Sequence, residues 1–365
     1  MDTRERSRLA KFVRSPYFNQ REDVVHLLDL LDEHLRNATP LPEKQTLHKR
    51  LFPGEAYEDH RLRLVSSLLL KLAEQFLLCE HRETQAAGNE VLLASLYRRR
   101  NLQRHYQAAI RQARAWLEKT PWRNAEHYDQ AYRLEWEEYN HAAAAWRTGA
   151  INLQSVSDQS DLAYITQKLR QSCIILSHQA VYNTEYQPGL LQEVLAYVDR
   201  TGMDRIPAVG IYYHCYLALA HPEEEGHFRT FREKIGTYDG VFPQEEMRNL
   251  YLLAINYCIK KYNEGNSRFL EEEYQLYRQG LEKGYLLIDG YLSRFTYRNV
   301  VTIGLVMKDF AWVEHFIYQY RDMLKPDMRD SIFSFCLANL EYERHNYTQA
   351  IHLLQKSEYR DLLLN

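Results

Sequence analysis

Apolar residues recur every three to four positions along almost the whole chain, the period of a helix with one buried face. The clearest stretch runs from Asp23 to Leu35, where Val24, Leu27, Leu28, Leu31 and Leu35 share one face and Asp29, Asp32 and Glu33 occupy the other. Ser15-Pro16 predicts the end of a preceding helix, and Asn19 with Glu22 three residues on predicts a capping box at the start of this one. Pro42, Pro188, Pro207, Pro222, Pro243 and Pro326 each precede a further amphipathic stretch, as proline does in a first helical turn. The pattern predicts about 16 or 17 helices in an all-α fold. Two-residue alternation is nearly absent, and its best example, Tyr285 to Ile288, is too short to seed a sheet.

Turns of only a few residues separate the helices, so neighbours must pack antiparallel. The turns themselves repeat. Phe310 and Tyr347 are 37 residues apart, as are Val313 and Ala350, and helix openings near Pro188, Pro222 and Ser267 are spaced by 34 and 45. Such periods predict an α-solenoid of antiparallel helix pairs. Three regions follow: an N-terminal helical region at 1–83, degenerate pairs at 84–187 and a repeat array at 188–365.

Leu337 and Ala338 late in one helix, then Tyr347, Ala350 and Leu354 in the next, resemble the tetratricopeptide pattern. In that reading the small Ala338 and Ala350 let the two helices approach and Tyr347 plugs the gap at the turn. The pattern is incomplete: Glu341 stands where the family prefers an aromatic, and Val301 and Val313 fill both small positions of the preceding pair. Phe12 to Asn19, reading FVRSPYFN, and Ala254 to Ile259 also resemble a group of uncharacterised bacterial helical-repeat proteins, a resemblance that implies no activity.

Composition narrows the function. The 365 residues include only 14 glycines and 10 prolines, leaving few positions for phosphate-cradling loops. Lys plus Arg is 46 and Asp plus Glu is 49, a net charge of −3, so electrostatic targeting must be local. Cys79, Cys173, Cys215, Cys258 and Cys336 are widely spaced and read as buried thiols in a reducing compartment. The opening Met1 to Arg8 has no apolar run behind it, and Lys71 and Glu74 interrupt the greasiest stretch, Val65 to Cys79. A cytoplasmic protein without a membrane span is expected.

No pattern for a P-loop, dinucleotide turn, nucleophile elbow or HExxH occurs, so no catalytic residue and no cofactor is assigned. His221, Glu223, Glu224, Glu225 and His227 form the nearest approach to a metal cluster. Three glutamates in the first turn of a helix opened by Pro222 complement its dipole without a metal, and none is assigned. Between Arg98 and Arg123 the cations Arg98, Arg99, Arg100, Arg104, Arg111, Arg114, Lys119 and Arg123 face only Glu118, interleaved with Tyr97, Tyr106, Trp116 and Trp122. A basic strip with aromatics suits nucleic acid. The next helix carries Glu126, Asp129, Glu135, Glu137 and Glu138 against Arg133, so mutual neutralisation of the two helices is the favoured reading.

Tyrosine is abundant, at 28 residues, and Tyr212, Tyr251 and Tyr342 are expected to pack with a wet hydroxyl. The first helices of stacked pairs line a concave face, which makes Tyr213, Tyr216, Arg298, Asn299, Thr302, Asn339 and Tyr342 the candidate partner groove. The expected function is a non-catalytic scaffold binding a peptide or protein segment there, with a nucleic-acid-binding regulator as the alternative. Leu362, Leu363 and Leu364 read as an uncapped array end, and hence as a surface for self-association.

Overall fold

The computed structural model describes residues 2–37, 39–84, 86–145, 151–182 and 184–355. Leu362 to Leu364, and with them the expected self-association surface, lie outside the described residues. The chain divides into two compact units, Met1–Trp116 and Leu117–Asn365.

The first unit holds α1 (Thr3–Val13), α2 (Glu22–Arg36), α3 (Lys44–Leu51), α4 (Asp59–Thr84), α5 (Ala86–Arg99) and most of α6 (Gln103–Lys119). Its core is Leu9, Val13, Val24, Leu27, Leu62, Val65 and Phe76 with their neighbours. Helix α1 ends ahead of Pro16 as expected, but α2 is not capped by Asn19. The Asn19 carboxamide accepts the Arg21 N–H at 3.0 Å and donates to the Val13 carbonyl at 3.0 Å, so it closes the turn between the helices while Arg21 takes the cap position. The α2 stripe is also only half covered, with Val24 and Leu27 buried but Leu35 61% exposed.

The second unit begins with the long α7 (Ala125–Ala145) and α8 (Leu153–Tyr182), which pack against each other, and the short α9 (Leu191–Thr201). Four pairs follow: α10 (Pro207–Ala220) with α11 (Glu225–Thr237), α12 (Gln244–Asn263) with α13 (Arg268–Glu282), α14 (Arg294–Val306) with α15 (Phe310–Gln319), and α16 (Arg329–Glu343) with α17 (Tyr347–Leu354). Helices α8, α10 and α12 also touch one another, as do α14 and α16, so the first helices of the pairs form a row. The second helices open at Leu191, Glu225, Arg268, Phe310 and Tyr347, spaced by 34, 43, 42 and 37 residues. One continuous apolar cluster runs from Tyr128 to Leu353. The segment expected to be too short to seed a sheet does pair, as a minimal hairpin of Leu287–Ile288 with Tyr291–Leu292 (β1 and β2), turned by Asp289 and Gly290, both at positive φ. Seventeen α-helices are present among the described residues, and consecutive helices pack as an all-α solenoid does.

The repeated turns are equivalent down to the backbone. Lys308 (φ 58°) and His345 (φ 64°) both adopt the left-handed conformation after α14 and α16, and the next residues, Asp309 and Asn346, donate back to Gly304 at 3.0 Å and Glu341 at 2.8 Å. These are Schellman closures, which satisfy the last carbonyls of one helix while reversing the chain into the next. The close approach differs between the two pairs. Ala338 and Ala350 are both buried in the last pair, whereas in the preceding pair Val301 and Val313 are tolerated because Gly304 yields the space: a Cβ there would lie 2.5 Å from a Val313 methyl. Tyr347 does not plug the turn. It is half exposed, its ring edge-on to Tyr342 and its hydroxyl 2.9 Å from His345 Nδ1.

Several other expectations are corrected. Cys79 is exposed, leaving four buried thiols. Helix α11 starts at Glu225, not Pro222, because the turn over Pro222 to Glu224 precedes it, so only Glu225 sits at the positive end of the helix dipole. Among the described residues, no helix is long and apolar enough to cross a membrane.

Gly304→Ala and Ala350→Leu should each overpack their pair and cost about 1–3 kcal/mol, read as a lowered urea midpoint with unchanged slope. An unaltered midpoint for either would remove the assigned register. Lys308→Gly should raise stability by about 1 kcal/mol, since glycine occupies the left-handed position without the Cβ clash; a loss of stability would count against the Schellman turn.

Candidate functional site

A polar node at the start of the second unit determines where its open surface lies. Glu246 projects from the first turn of α12 and is buried, with one carboxylate oxygen accepting the Tyr212 hydroxyl of α10 at 2.6 Å and the other the Asn124 carboxamide at 2.9 Å. Arg170 of α8 lies 3.7 Å from the same carboxylate and grips Glu126 of α7 with both terminal nitrogens, at 2.7 and 3.1 Å. Four helices therefore meet at one buried anion. Burial holds the Glu246 carboxyl above its usual range despite its two donors, and burial together with the Glu246 charge pushes the Tyr212 phenol well up. The hydroxyl of Tyr212 is thus a buried donor, not the wet group expected of it. Beside the node, burial and then Arg123 depress the His127 imidazole to about 4, and its Nδ1 is buried without a hydrogen-bond partner.

The outer side of the node opens onto a groove of about 680 Å³ along α8, lined by Tyr164, Gln167, Lys168, Arg170, Gln171, Ile174, Ile175, His178 and Tyr186. Nearly all of these come from one helix at three- and four-residue spacings, so they form one face about four turns long. Tyr186, from the segment after α8, turns back to close one end, its hydroxyl 3.2 Å from His178 Nδ1, while Tyr182 stacks on the same imidazole at 4.3 Å. Such a surface combines aromatic walls, carboxamides that both donate and accept, a guanidinium held in place by Glu126 and a lysine without an ion-pair partner among the described residues.

The residues singled out from the sequence lie on α10, α14 and α16, in the same row of first helices as α8, but the structure does not gather them into one pocket. Tyr216 is buried in the core, and Tyr213 and Asn339 are half-buried. Arg298 lies over the Phe335 ring at 5.0 Å, which joins α14 and α16, and Asn299 is exposed. Thr302 is exposed and Tyr342 is 59% exposed. The α8 face was not singled out because its helix carries no single apolar stripe: α7, α10 and α12 bury different sides of it. The one available sequence signal was Tyr164, Gln167, Gln171, Ile174 and His178 at helical spacing.

In the basic strip, Arg99, Arg100, Arg104, Arg111 and Arg114 are exposed and Arg98 is half-buried. Arg100 donates to the Leu96 carbonyl at 3.2 Å. Among the acidic groups of α7, Glu126 is engaged by Arg170, Asp129 by Arg133 at 2.8 Å and Glu135 by Asn152 at 2.8 Å. The histidine and glutamate cluster before α11 forms pairs: His221 with Glu223 at 3.7 Å, and His227 with Glu224 at 3.4 Å and with the imidazole of His214, Nδ1 to Nδ1, also at 3.4 Å. Among the described residues no group of three or more His, Cys, Asp or Glu is arranged to hold a metal ion. A second groove, about 690 Å³, lies in the first unit between α1, α2, α3 and α4, with Leu28, Leu31, Leu35, Leu47 and Leu70 on its walls.

Glu246→Ala should cost about 2–4 kcal/mol, because it strands the Tyr212, Asn124 and Arg170 donors at a buried point; a loss below about 0.5 kcal/mol would show that the node is not needed. The His127 imidazole titrates near 4 folded and near 6.5 unfolded, so its contribution is complete above pH 6.5 and lost as pH falls towards 4. His127→Gln should flatten the stability profile across that window by about 1–2 kcal/mol, the ring being only part-buried; an identical profile in denaturant melts at pH 7 and 4.5 would refute the assignment.

No protein-family model matches this chain, and neither the curated proteins nor the solved structures include a match.

Proposed function

We propose that this protein is a non-catalytic scaffold whose second unit binds a peptide or protein segment along its row of first helices, with the α8 groove as the principal contact. The observation that carries the reading is the groove itself: about 680 Å³ of open surface with aromatic walls and a carboxamide floor, on a helix fixed from behind by the Glu246 node. Tetratricopeptide-like spacing of the second helices supports it, since stacked pairs present a long row of first-helix side chains to a partner. Arg298, Asn299, Thr302, Asn339 and Tyr342 extend the same row on α14 and α16 and serve as secondary contacts. Tyrosine, arginine and amide side chains suit this role, because they give large contact areas and adaptable hydrogen bonds.

The alternative reading, a nucleic-acid-binding regulator, is favoured by one observation: Arg104 and Arg111 are exposed on α6 with no acidic partner among the described residues. Binding of single-stranded RNA or duplex DNA across a salt series separates the two. Each phosphate contact steepens the logarithmic salt slope by about 0.7–0.9, so Arg104→Glu with Arg111→Glu should flatten a genuine nucleic-acid interaction and leave peptide binding untouched.

The scaffold reading is tested by selecting peptides from a displayed random library against the full chain and measuring the winners by fluorescence anisotropy. Tyr164→Ala with Gln171→Ala should weaken selected peptides by about tenfold or more at unchanged melting temperature, and Asn299→Ala with Tyr342→Ala by a smaller factor. Selection of no peptide, or of peptides indifferent to both pairs of substitutions, would overturn the proposal.

A further inference from the structure

The α8 groove carries enough detail to name the kind of segment it takes, and this step rests on the scaffold reading above. We propose that the groove accepts an extended peptide bearing an acidic side chain and, about four residues away, an aliphatic or aromatic anchor.

Three features lead there. The first is the floor. Gln167 and Gln171 stand one helical turn apart, and each carboxamide offers a donor and an acceptor. An extended chain has unpaired N–H and C=O groups that need such partners, whereas a docked helix satisfies its own and asks only for an apolar stripe.

The second is charge. Among the described residues lining the groove there is no carboxylate, and there are two cations. The Arg170 guanidinium is fixed by Glu126, with Glu246 close behind, so its own charge is balanced and it acts as a rigid donor edge. Lys168 has no ion-pair partner among the described residues, and it is the group left to attract an anion. A single unengaged lysine suits one acidic side chain. A nucleic-acid strand brings a phosphate with every nucleotide and would require a cation for each of several, which this face does not provide.

The third is the separation of the two chemistries. Tyr164 stands at the near end, while Ile174, Ile175, His178 and Tyr186 gather the aliphatic surface and the other aromatic rings at the far end, closed by the contact between Tyr186 and His178. From Lys168 to His178 the helix rises about 15 Å, the reach of four to five extended residues. An acidic group paired at Lys168 therefore places a side chain about four residues distant against the Tyr186 pocket.

The test uses the full chain and three fluorescein-labelled peptides of about eight residues: one with two aspartates separated from a leucine by three serines, one with asparagines in place of the aspartates, and one with the aspartates next to the leucine. The first should bind, and the other two should bind about fivefold or more weakly, with the advantage of the first shrinking as salt rises. Lys168→Glu should abolish its preference over the asparagine peptide, Lys168→Gln should reduce it, and Tyr186→Ala should weaken all three peptides; circular dichroism confirms that each variant is folded. Equal affinity for the aspartate and asparagine peptides overturns the acidic assignment, and equal affinity for the two aspartate peptides overturns the spacing. If these peptides fail while library-selected neutral peptides still bind through Tyr164 and Gln171, this inference falls and the scaffold reading stands. If neither set binds, both fall. A single-stranded oligonucleotide that binds in place of the peptides and is lost in Lys168→Glu also overturns it.

Discussion

The second unit depends on one buried carboxylate. Glu246 opens α12 and is met there by Tyr212 from α10, Asn124 from the segment before α7 and Arg170 from α8. An ionisable group placed among helices is costly unless every lone pair is met, and here two neutral donors and a guanidinium meet it. That requirement fixes how the long helices cross at this end, because each donor reaches the carboxylate from only one arrangement. Apolar packing between the same helices, from Ile165, Leu169, Cys173 and Val209, supplies the bulk of the adhesion but tolerates small slides.

The same node explains why a binding surface sits on α8. Arg170 spans the boundary between interior and groove: Glu126 and Glu246 hold its charged end, and its edge forms part of the groove lining. A side chain held this way gives up little freedom when a ligand arrives, which is the condition for a surface of modest area to bind specifically. Further along, the row of first helices changes character. Between α14 and α16 the Arg298 guanidinium is already engaged over Phe335, so this cation is more committed than Lys168 of α8.

The pairs after α9 reach similar geometry by different residues. In the last pair Ala338 and Ala350 are both buried, and in the preceding one Gly304 makes room for Val313. What the repeat preserves is a short distance and a closing turn, and only loosely a residue type. This is why spacing identified the pairs while the tetratricopeptide pattern was met in fragments.

The sequence by itself determined the elements. Period-3.6 patterning gave the number of helices and proline punctuation the approximate starts of several, and the 37-residue offset between the turns at Lys308 and His345 is reproduced in the backbone, because amphipathicity and turn closure are local properties written in consecutive residues. Local chemistry could mislead even there: Asn19, read as a cap, closes a turn instead, and the first turn of α11 begins three residues after Pro222. Only the tertiary structure decided the site. Glu246 lies 122 residues from Asn124 and 34 from Tyr212, and nothing in their neighbourhoods along the chain marks them as partners. Tyr216 and Tyr213 are three residues apart on one helix, yet the first is buried and the second partly open, because neighbouring helices cover α10 unevenly. The face of α8 became a groove for the same reason. Which side of a helix buried on several sides stays open is set by the helices that pack around it, and their placement is a property of the assembled unit, not of the helix.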